Sequence, residues 1–206
     1  MARFDMLTAV AAPITTDNVD TDQIFPSRFS SKDRADGKFG TYFLHDQRFD
    51  ASGNRNESFI LNDERLRDAR IIVASQNYAC GSARPGAIYS HLDYGIEAII
   101  AESFGPVFPT VAYKSGLLTI RLAGADTEYM RNRLLESLGS QITVDLKRQR
   151  VVSPDGKEFP FEIDHFVKRM FMEGLSEIDL TLGYRAKIEA LEARLRSELP
   201  WVYDRH

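Results

Sequence analysis

Short apolar runs alternate with helix-like segments along the chain, and this alternation constrains the fold more than any other feature. Three runs read as buried strands, at residues 69–74, 98–101 and 117–122. Between the first two, residues 85–94 have the spacing of a helix. Strands that alternate with helices pack in layers, because the crossover helices cover the faces of the sheet. We therefore expect an α/β fold.

Further elements extend this pattern on both sides. The sequence predicts strands at 7–12 and 141–146, a helix at 127–138, and a hairpin with arms at 150–153 and 159–163 around a Pro-Asp-Gly turn. Because the hairpin implies antiparallel pairing, we expect a mixed sheet. The remaining stretches divide into a long loop with short helices at 27–56, Gly/Pro-punctuated turns at 103–116, and helices at 164–173 and 184–198.

The length of 206 residues suits one domain with its own core. We interpret residues 1–206 as a single domain with a helical tail over about 164–206. The formal net charge of -4 argues against nucleic-acid binding, which needs a basic face. No apolar run approaches the length that spans a membrane, so we expect a cytoplasmic protein with no nucleic-acid or membrane partner.

Cys80 is the single cysteine of the chain. One thiol can form neither an internal disulfide nor a zinc or iron–sulfur site built from thiolates alone. The four histidines are not spaced as metal ligands, and we expect each to be a surface or core residue; they are His45, His91, His165 and His206. We therefore predict no metal site in this chain.

The strongest local signal for chemistry is the turn at residues 78–84, which follows a buried strand and leads into a helix. Such a turn presents the Ser82 hydroxyl and the Arg84 guanidinium beside the free N–H groups of a helix start, an arrangement that suits an anion. An alternative has roughly equal weight on spacing alone. In that alternative Gly81 forms the turn, Ser82 caps the helix and Arg84 is solvated.

A second polar turn, Asn18-Val19-Asp20-Thr21-Asp22, lies near the start of the chain. Aspartates in such turns usually shape the loop through hydrogen bonds to nearby N–H groups, and we favour that structural role for Asp20 and Asp22. If the two aspartates take part in function, we expect them to orient Arg84 or a loop that faces the substrate.

Several separated motifs resemble one known family. They are NVDTDQI at 18–24, GTYFLHDQRF at 40–49, CGSAR at 80–84 and MEGLSEIDLTL at 172–182. Together they are similar to the small subunit of 3-isopropylmalate dehydratase, a relative of the swivelling C-terminal domain of aconitase. The resemblance implies a swivelling β/β/α domain with C-terminal helices.

The resemblance also implies a function. In that family a large subunit carries a [4Fe–4S] cluster, and the two subunits form a heterodimer or heterotetramer that isomerises 2-isopropylmalate to 3-isopropylmalate through 2-isopropylmaleate in leucine biosynthesis. Carried over, Ser82 would be the general base and Arg84 would bind a carboxylate of the small dicarboxylate substrate. Gly81, Ala83, Asp20 and Asp22 would line the substrate side of the site.

This chain departs from the family pattern at the central turn. The family turn typically reads GCGSSREHA, whereas residues 79–87 read ACGSARPGA, and the family's FYGNSFNNGLL is replaced by residues 108–118. Loss of polar partners favours a different substrate. The alternatives are therefore a paralogous subunit for another 2-substituted malate or maleate, or a non-catalytic binding protein. A serine hydrolase is disfavoured because no GxSxG motif is present.

Overall fold

The structure is a computed structural model that describes residues 2–82 and 84–203. Its centre is a mixed seven-stranded sheet with the strand order β4-β3-β2-β1-β5-β6-β7. The first four strands in that order run parallel to their neighbours, and β1, β5, β6 and β7 pair antiparallel. The strands are β1 (Met6–Pro13), β2 (Ile71–Val73), β3 (Ala98–Ala101), β4 (Leu118–Arg121), β5 (Gln141–Asp145), β6 (Arg150–Val152) and β7 (Glu158–Pro160).

Helices cover both faces of this sheet, as expected for an α/β fold. Within the described residues they are α1 (Thr21–Ile24), α2 (His45–Arg48), α3 (Pro85–Tyr94), α4 (Phe108–Ser115), α5 (Gly124–Glu136), α6 (His165–Glu173), α7 (Glu177–Leu182), α8 (Arg185–Glu198) and α9 (Pro200–Tyr203). None of the helices in this part of the chain is long and apolar enough to cross a membrane.

Alternation along the parallel strands separates two hydrophobic clusters. Ile72 points into one cluster with residues of α3 and α4, whereas its neighbours Ile71 and Val73 point into the other with residues of α5. Side chains of successive strand residues face opposite sides of a sheet, so β2 is buried on both faces. The α/β fold with a mixed sheet is confirmed.

The sequence predicts most elements correctly but misses four helices, α1, α4, α7 and α9. Residues 108–115 were expected in Gly/Pro-punctuated turns, yet they form α4, because Pro109 lies in its first turn and Gly116, at φ 86°, ends it. Helix α7 was not predicted. It begins at a capping box in which Ser176 and Asp179 bond reciprocally.

The C-terminal helices extend from the sheet. Asp164 caps α6 by accepting hydrogen bonds from the amides of Phe166 and Val167, and Gly174 ends that helix with positive φ, so the helix lies where it was predicted, at 164–173. Helix α8 has no buried residue. That residues 1–206 form one folding unit stays a prediction, and limited proteolysis followed by refolding of the fragments would test it.

Candidate active site

The predicted turn at residues 78–82 lies at the carboxyl edge of the parallel strands, between two other loops. On one side, the Thr21 amide donates to the Cys80 carbonyl at 2.9 Å, and the Cys80 amide donates to the Val19 carbonyl at 3.2 Å. On the other side, the Tyr78 amide donates to the Ser103 carbonyl at 3.0 Å. These bonds continue the sheet beyond its strands, so the turn is held on both sides by main chain.

Gly81 forms the turn, as the alternative interpretation of this motif expected. Its φ is 87°, a conformation that side chains disfavour, and a Cβ there would overlap the Oδ2 atom of Asp20 and lie 3.1 Å from its Cγ. Glycine therefore serves both the left-handed backbone and the close approach of the two motifs.

Ser82 is exposed on this turn. Its carbonyl accepts from the Thr21 hydroxyl at 2.7 Å and from the Arg84 amide at 2.7 Å, while its own hydroxyl has no hydrogen bond within the described residues. The alternative in which Ser82 caps α3 is wrong. Helix α3 begins at Pro85, so Arg84 is the N-cap residue and Ser82 lies two residues before the cap; Arg84 makes no side-chain cap bond.

Arg84 is paired rather than merely solvated. Its Nη1 donates to Oδ1 of Asp22 at 2.8 Å, and the two side chains are 43% and 49% exposed. Asp20 caps α1 by accepting from the Asp22 amide at 2.6 Å, and its own amide donates to the side chain of Gln23 at 3.3 Å. Asp20 thus shapes its loop, and Asp22 orients Arg84. Ala83, the remaining predicted site residue, lies outside the described residues.

Two of the departures from the family pattern, Pro85 and Gly86, fall at the start of α3. Pro85 occupies the first helical turn, where a missing N–H costs nothing. Gly86 packs against Phe25, and a Cβ at Gly86 would lie 2.7 Å from two ring carbons. The Phe25 ring therefore occupies the space that a larger residue at position 86 would need.

The Cys80 thiol packs against the polar turn near the start of the chain. The thiol is half-buried and donates to the Asn18 carbonyl at a distance of 3.5 Å. Burial raises the pKa of this thiol, and the nearby charge of Asp20 raises it further. Since the thiolate is the nucleophilic form, Cys80 is a poor nucleophile at neutral pH.

His91 is a core residue, as predicted. Its ring lies between the Tyr78 hydroxyl, 2.9 Å from Nε2, and the Ala87 carbonyl, 2.6 Å from Nδ1. Burial lowers the pKa of His91 to about 4. The neutral ring therefore donates from Nδ1 and accepts at Nε2, which leaves no free nitrogen for proton transfer. His45 bonds Asp46 on the surface, His165 begins α6, and His206 lies outside the described residues.

Residues 2–82 and 84–203 contain no group of three or more His, Cys, Asp or Glu side chains placed to hold a metal ion.

The edge of the sheet that carries the turn also carries a polar network that the sequence analysis missed. Asp17 accepts from the Ser75 hydroxyl and, at 2.9 Å, from Gln76; these hydrogen bonds lower the pKa of Asp17. The sequence signal that could have revealed this network is the polar residues that follow β1 and β2, namely Asp17 after β1 and Ser75 and Gln76 after β2.

Comparison with known proteins identifies the family. The model of the aconitase C-terminal domain matches residues 1–125, and a model described as LeuD_N matches residues 132–165. The 3-isopropylmalate dehydratase small subunit of Gluconobacter oxydans is 40% identical over 194 residues, 94% of this chain and 93% of that protein. The protein of the same name from Dinoroseobacter shibae is 37% identical over 202 residues, 98% of this chain and 100% of that one.

A solved structure supports the fold. The 3-isopropylmalate dehydratase (leuD) of Methanocaldococcus jannaschii superposes with a TM-score of 0.62 and covers 91% of this chain and 99% of that one, at 22% identity. The two sequence matches cover nearly the full length at well over 30% identity. The chain therefore belongs to the family of 3-isopropylmalate dehydratase small subunits.

Proposed function

We propose that this chain is the small subunit of a hydro-lyase that isomerises 2-isopropylmalate to 3-isopropylmalate, with an active site completed by a large subunit. Relatives that match it over nearly its whole length carry the small-subunit name. The observation that carries the proposal is the exposure of Ser82 and Arg84 on one turn held by main-chain hydrogen bonds, with Arg84 paired to Asp22.

The reaction needs a group that accepts a carbon-bound proton during dehydration and a group that donates a proton to carbon during hydration. In dehydration, the hydroxyl leaves one carbon and a proton leaves its neighbour, which gives 2-isopropylmaleate and water. In hydration, the hydroxyl and the proton return to exchanged carbons. A single side chain above the plane of the double bond can take the proton in the first step and return it in the second.

Ser82 suits that role only if its alkoxide is stabilised. A serine hydroxyl is a weak base, so positive charge and N–H donors must be close to it. Arg84 lies two residues away, bonded through its amide to the Ser82 carbonyl, and α3 begins immediately after it. Both groups favour a negative charge at this turn.

Arg84 can bind a carboxylate while Asp22 holds it. One guanidinium nitrogen donates to Asp22, and the described residues provide no other partner for the guanidinium. Its other N–H groups are therefore available for a substrate carboxylate. A guanidinium binds a carboxylate through two parallel N–H···O hydrogen bonds.

This chain does not contain the ligands for the iron–sulfur cluster that the family resemblance implies. Its single cysteine cannot provide the thiolates that such a cluster needs. The [4Fe–4S] cluster would therefore belong to the large subunit, and this chain would contribute the opposing face of the site.

The test is complementation. We expect the purified chain, mixed with a cognate large subunit, to hydrate 2-isopropylmaleate. Ser82→Ala should lower the rate by about 10²–10⁴-fold while the subunits still co-elute in gel filtration. Ser52→Ala, at another exposed turn, is the matched control and should leave the rate unchanged. Full activity of the Ser82 variant would exclude Ser82 as the base.

A second candidate, favoured by the packing of Phe25 on Gly86, is activity on another 2-substituted malate. An altered wall beside the turn changes the shape available to the substituent at C2. A panel of malates with methyl, isopropyl and larger substituents, assayed on the assembled enzyme, distinguishes the two. The substrate with the highest kcat/KM identifies the function.

A further inference from the structure

A concave site lies apart from the turn that carries Ser82. A cavity of about 400 Å³ is lined by three arginines, Arg48, Arg55 and Arg67, and by Tyr94. Apolar groups from Phe49 and Leu61 form part of its wall, and Asn62, Asp63 and Glu64 complete it. Its size is typical of sites for small molecules.

The carboxylates in this wall are already engaged. Asp63 accepts from Nε and Nη2 of Arg65, at 2.8 and 2.6 Å, and Arg65 does not line the cavity. Glu64 accepts from Arg55 at 3.1 Å, and Arg55 also donates to the Asn62 carbonyl. Asp63, Glu64 and Arg55 therefore add little net charge to the cavity.

Arg48 keeps an unneutralised charge. Its Nη1 donates to the carbonyls of Phe43 and Gly40, at 3.2 and 3.3 Å, and its guanidinium lies 4.7 Å from the centre of the Tyr94 ring. No carboxylate pairs with it in the described part of the chain, and its buried Nε has no acceptor there. Burial lowers the pKa of Arg48, Tyr94 raises it, and the charge of Arg55 lowers it, with a net decrease. A nearby anion would stabilise the charged guanidinium.

Arg67 is the second unneutralised group. Its side chain is exposed, and within residues 2–82 and 84–203 it forms no ion pair. We propose that this cavity binds a small oxyanion, a carboxylate or a phosphate, between the guanidinium groups of Arg48 and Arg67. Guanidinium forks match the geometry of both anions, and Tyr94 and Leu61 would contact the apolar part of an organic ligand.

Binding is measured on the full chain by isothermal titration with inorganic phosphate and with malonate, each at constant ionic strength set by NaCl. We expect saturable binding, with amide shifts at Asn62 and Tyr94 in ¹H–¹⁵N NMR spectra. Arg67→Gln should weaken it at least ten-fold without changing the fold, because that side chain is exposed. Arg185→Gln, an equal change of charge on α8, is the control and should bind as the parent does.

Arg84→Gln separates this site from the proposed active site. If the anion binds the cavity, this variant binds it with unchanged affinity, whether or not the assembled enzyme is active. Tighter binding of phosphate indicates that the cavity recognises a tetrahedral oxyanion, and tighter binding of malonate indicates that it recognises a planar carboxylate. The proposal is overturned if neither anion binds saturably, if Arg67→Gln binds as the parent does, or if Arg84→Gln abolishes binding.

Discussion

The close approach of Gly81 to Asp20 gives a test of how the two motifs hold each other. Gly81 and Gly156 share a φ of 87°, but only Gly81 has neighbours that an added Cβ would meet. Gly156→Ala should therefore report backbone strain alone. Alanine in the left-handed region costs about 1–2 kcal/mol, partly offset by the lower entropy of the unfolded chain, so we expect a loss of about 1 kcal/mol.

Gly81→Ala should cost more, because its Cβ must displace the Asp20 carboxylate. That carboxylate accepts from the Asp22 amide at 2.6 Å and caps α1. Loss of an N-cap costs about 1 kcal/mol, with a range of about 0.5–2 kcal/mol. Added to the backbone strain, this predicts a total loss of about 2 kcal/mol in the free energy of unfolding.

A double-mutant cycle isolates the contact. Asp20→Ala alone should cost about 1 kcal/mol, through loss of the cap, but almost nothing in the Gly81→Ala background, where the cap is already broken. Urea denaturation of the parent, the two single variants and the double variant, followed by circular dichroism, measures the four free energies of unfolding. Equal costs of Asp20→Ala in both backgrounds, or equal costs of Gly81→Ala and Gly156→Ala, would refute the reasoning.

Three more predictions follow from single groups. Burial holds the pKa of His91 at about 4, so between pH 6.5 and pH 4 the unfolded chain binds the extra proton and stability falls as pH falls, by up to about 3 kcal/mol; urea titrations at several pH values should show a shallower slope for His91→Gln. Asp22→Ala should lower kcat/KM of the assembled enzyme about ten-fold, because Asp22 holds Arg84 in place. The free energy of unfolding should change by less than about 1 kcal/mol, since the ion pair is exposed; unchanged kinetics would show that Asp22 does not position Arg84. Cys80 should react with a disulfide reagent at pH 7 at least about ten-fold more slowly than in the urea-unfolded chain, because its pKa is raised; equal rates would contradict that pKa shift.

Local patterns were enough to predict the turn but not its surroundings. The buried strand, Gly81 and the helix that follows are signals within a few residues, and the structure has all three. The pairing of Asp22 with Arg84 joins residues 62 positions apart, which no local pattern reveals. The role of Ser82 as a helix cap was equally plausible by spacing. It fails because α3 begins at Pro85, which makes Arg84 the N-cap residue.

Two of the missed helices, α4 and α7, show why local sequence patterns failed to predict them. Pro109 and Gly116 read as turn residues, but they lie at the two ends of α4, whose Phe108 and Ala112 are buried in the core. Tertiary packing thus stabilises a segment whose composition favours a loop. In α7 the capping box uses Asp179 in place of the more usual Glu or Gln, so its start carried a weaker signal.

The way the turn is held also explains how this chain can differ from its family at Pro85 and Gly86 and keep Ser82 and Arg84. The bonds that fix the turn are made by main-chain groups of Tyr78 and Cys80 and by the Ser82 carbonyl, none of which depends on the side chains that follow Arg84. Substitution at the start of α3 can therefore reshape the wall beside the turn through Phe25 without moving the hydroxyl and the guanidinium. Under the proposed function, substrate preference and proton transfer are therefore set by different residues. Changes at residues 85 and 86 should alter which malate is preferred before they reduce the rate with the preferred one.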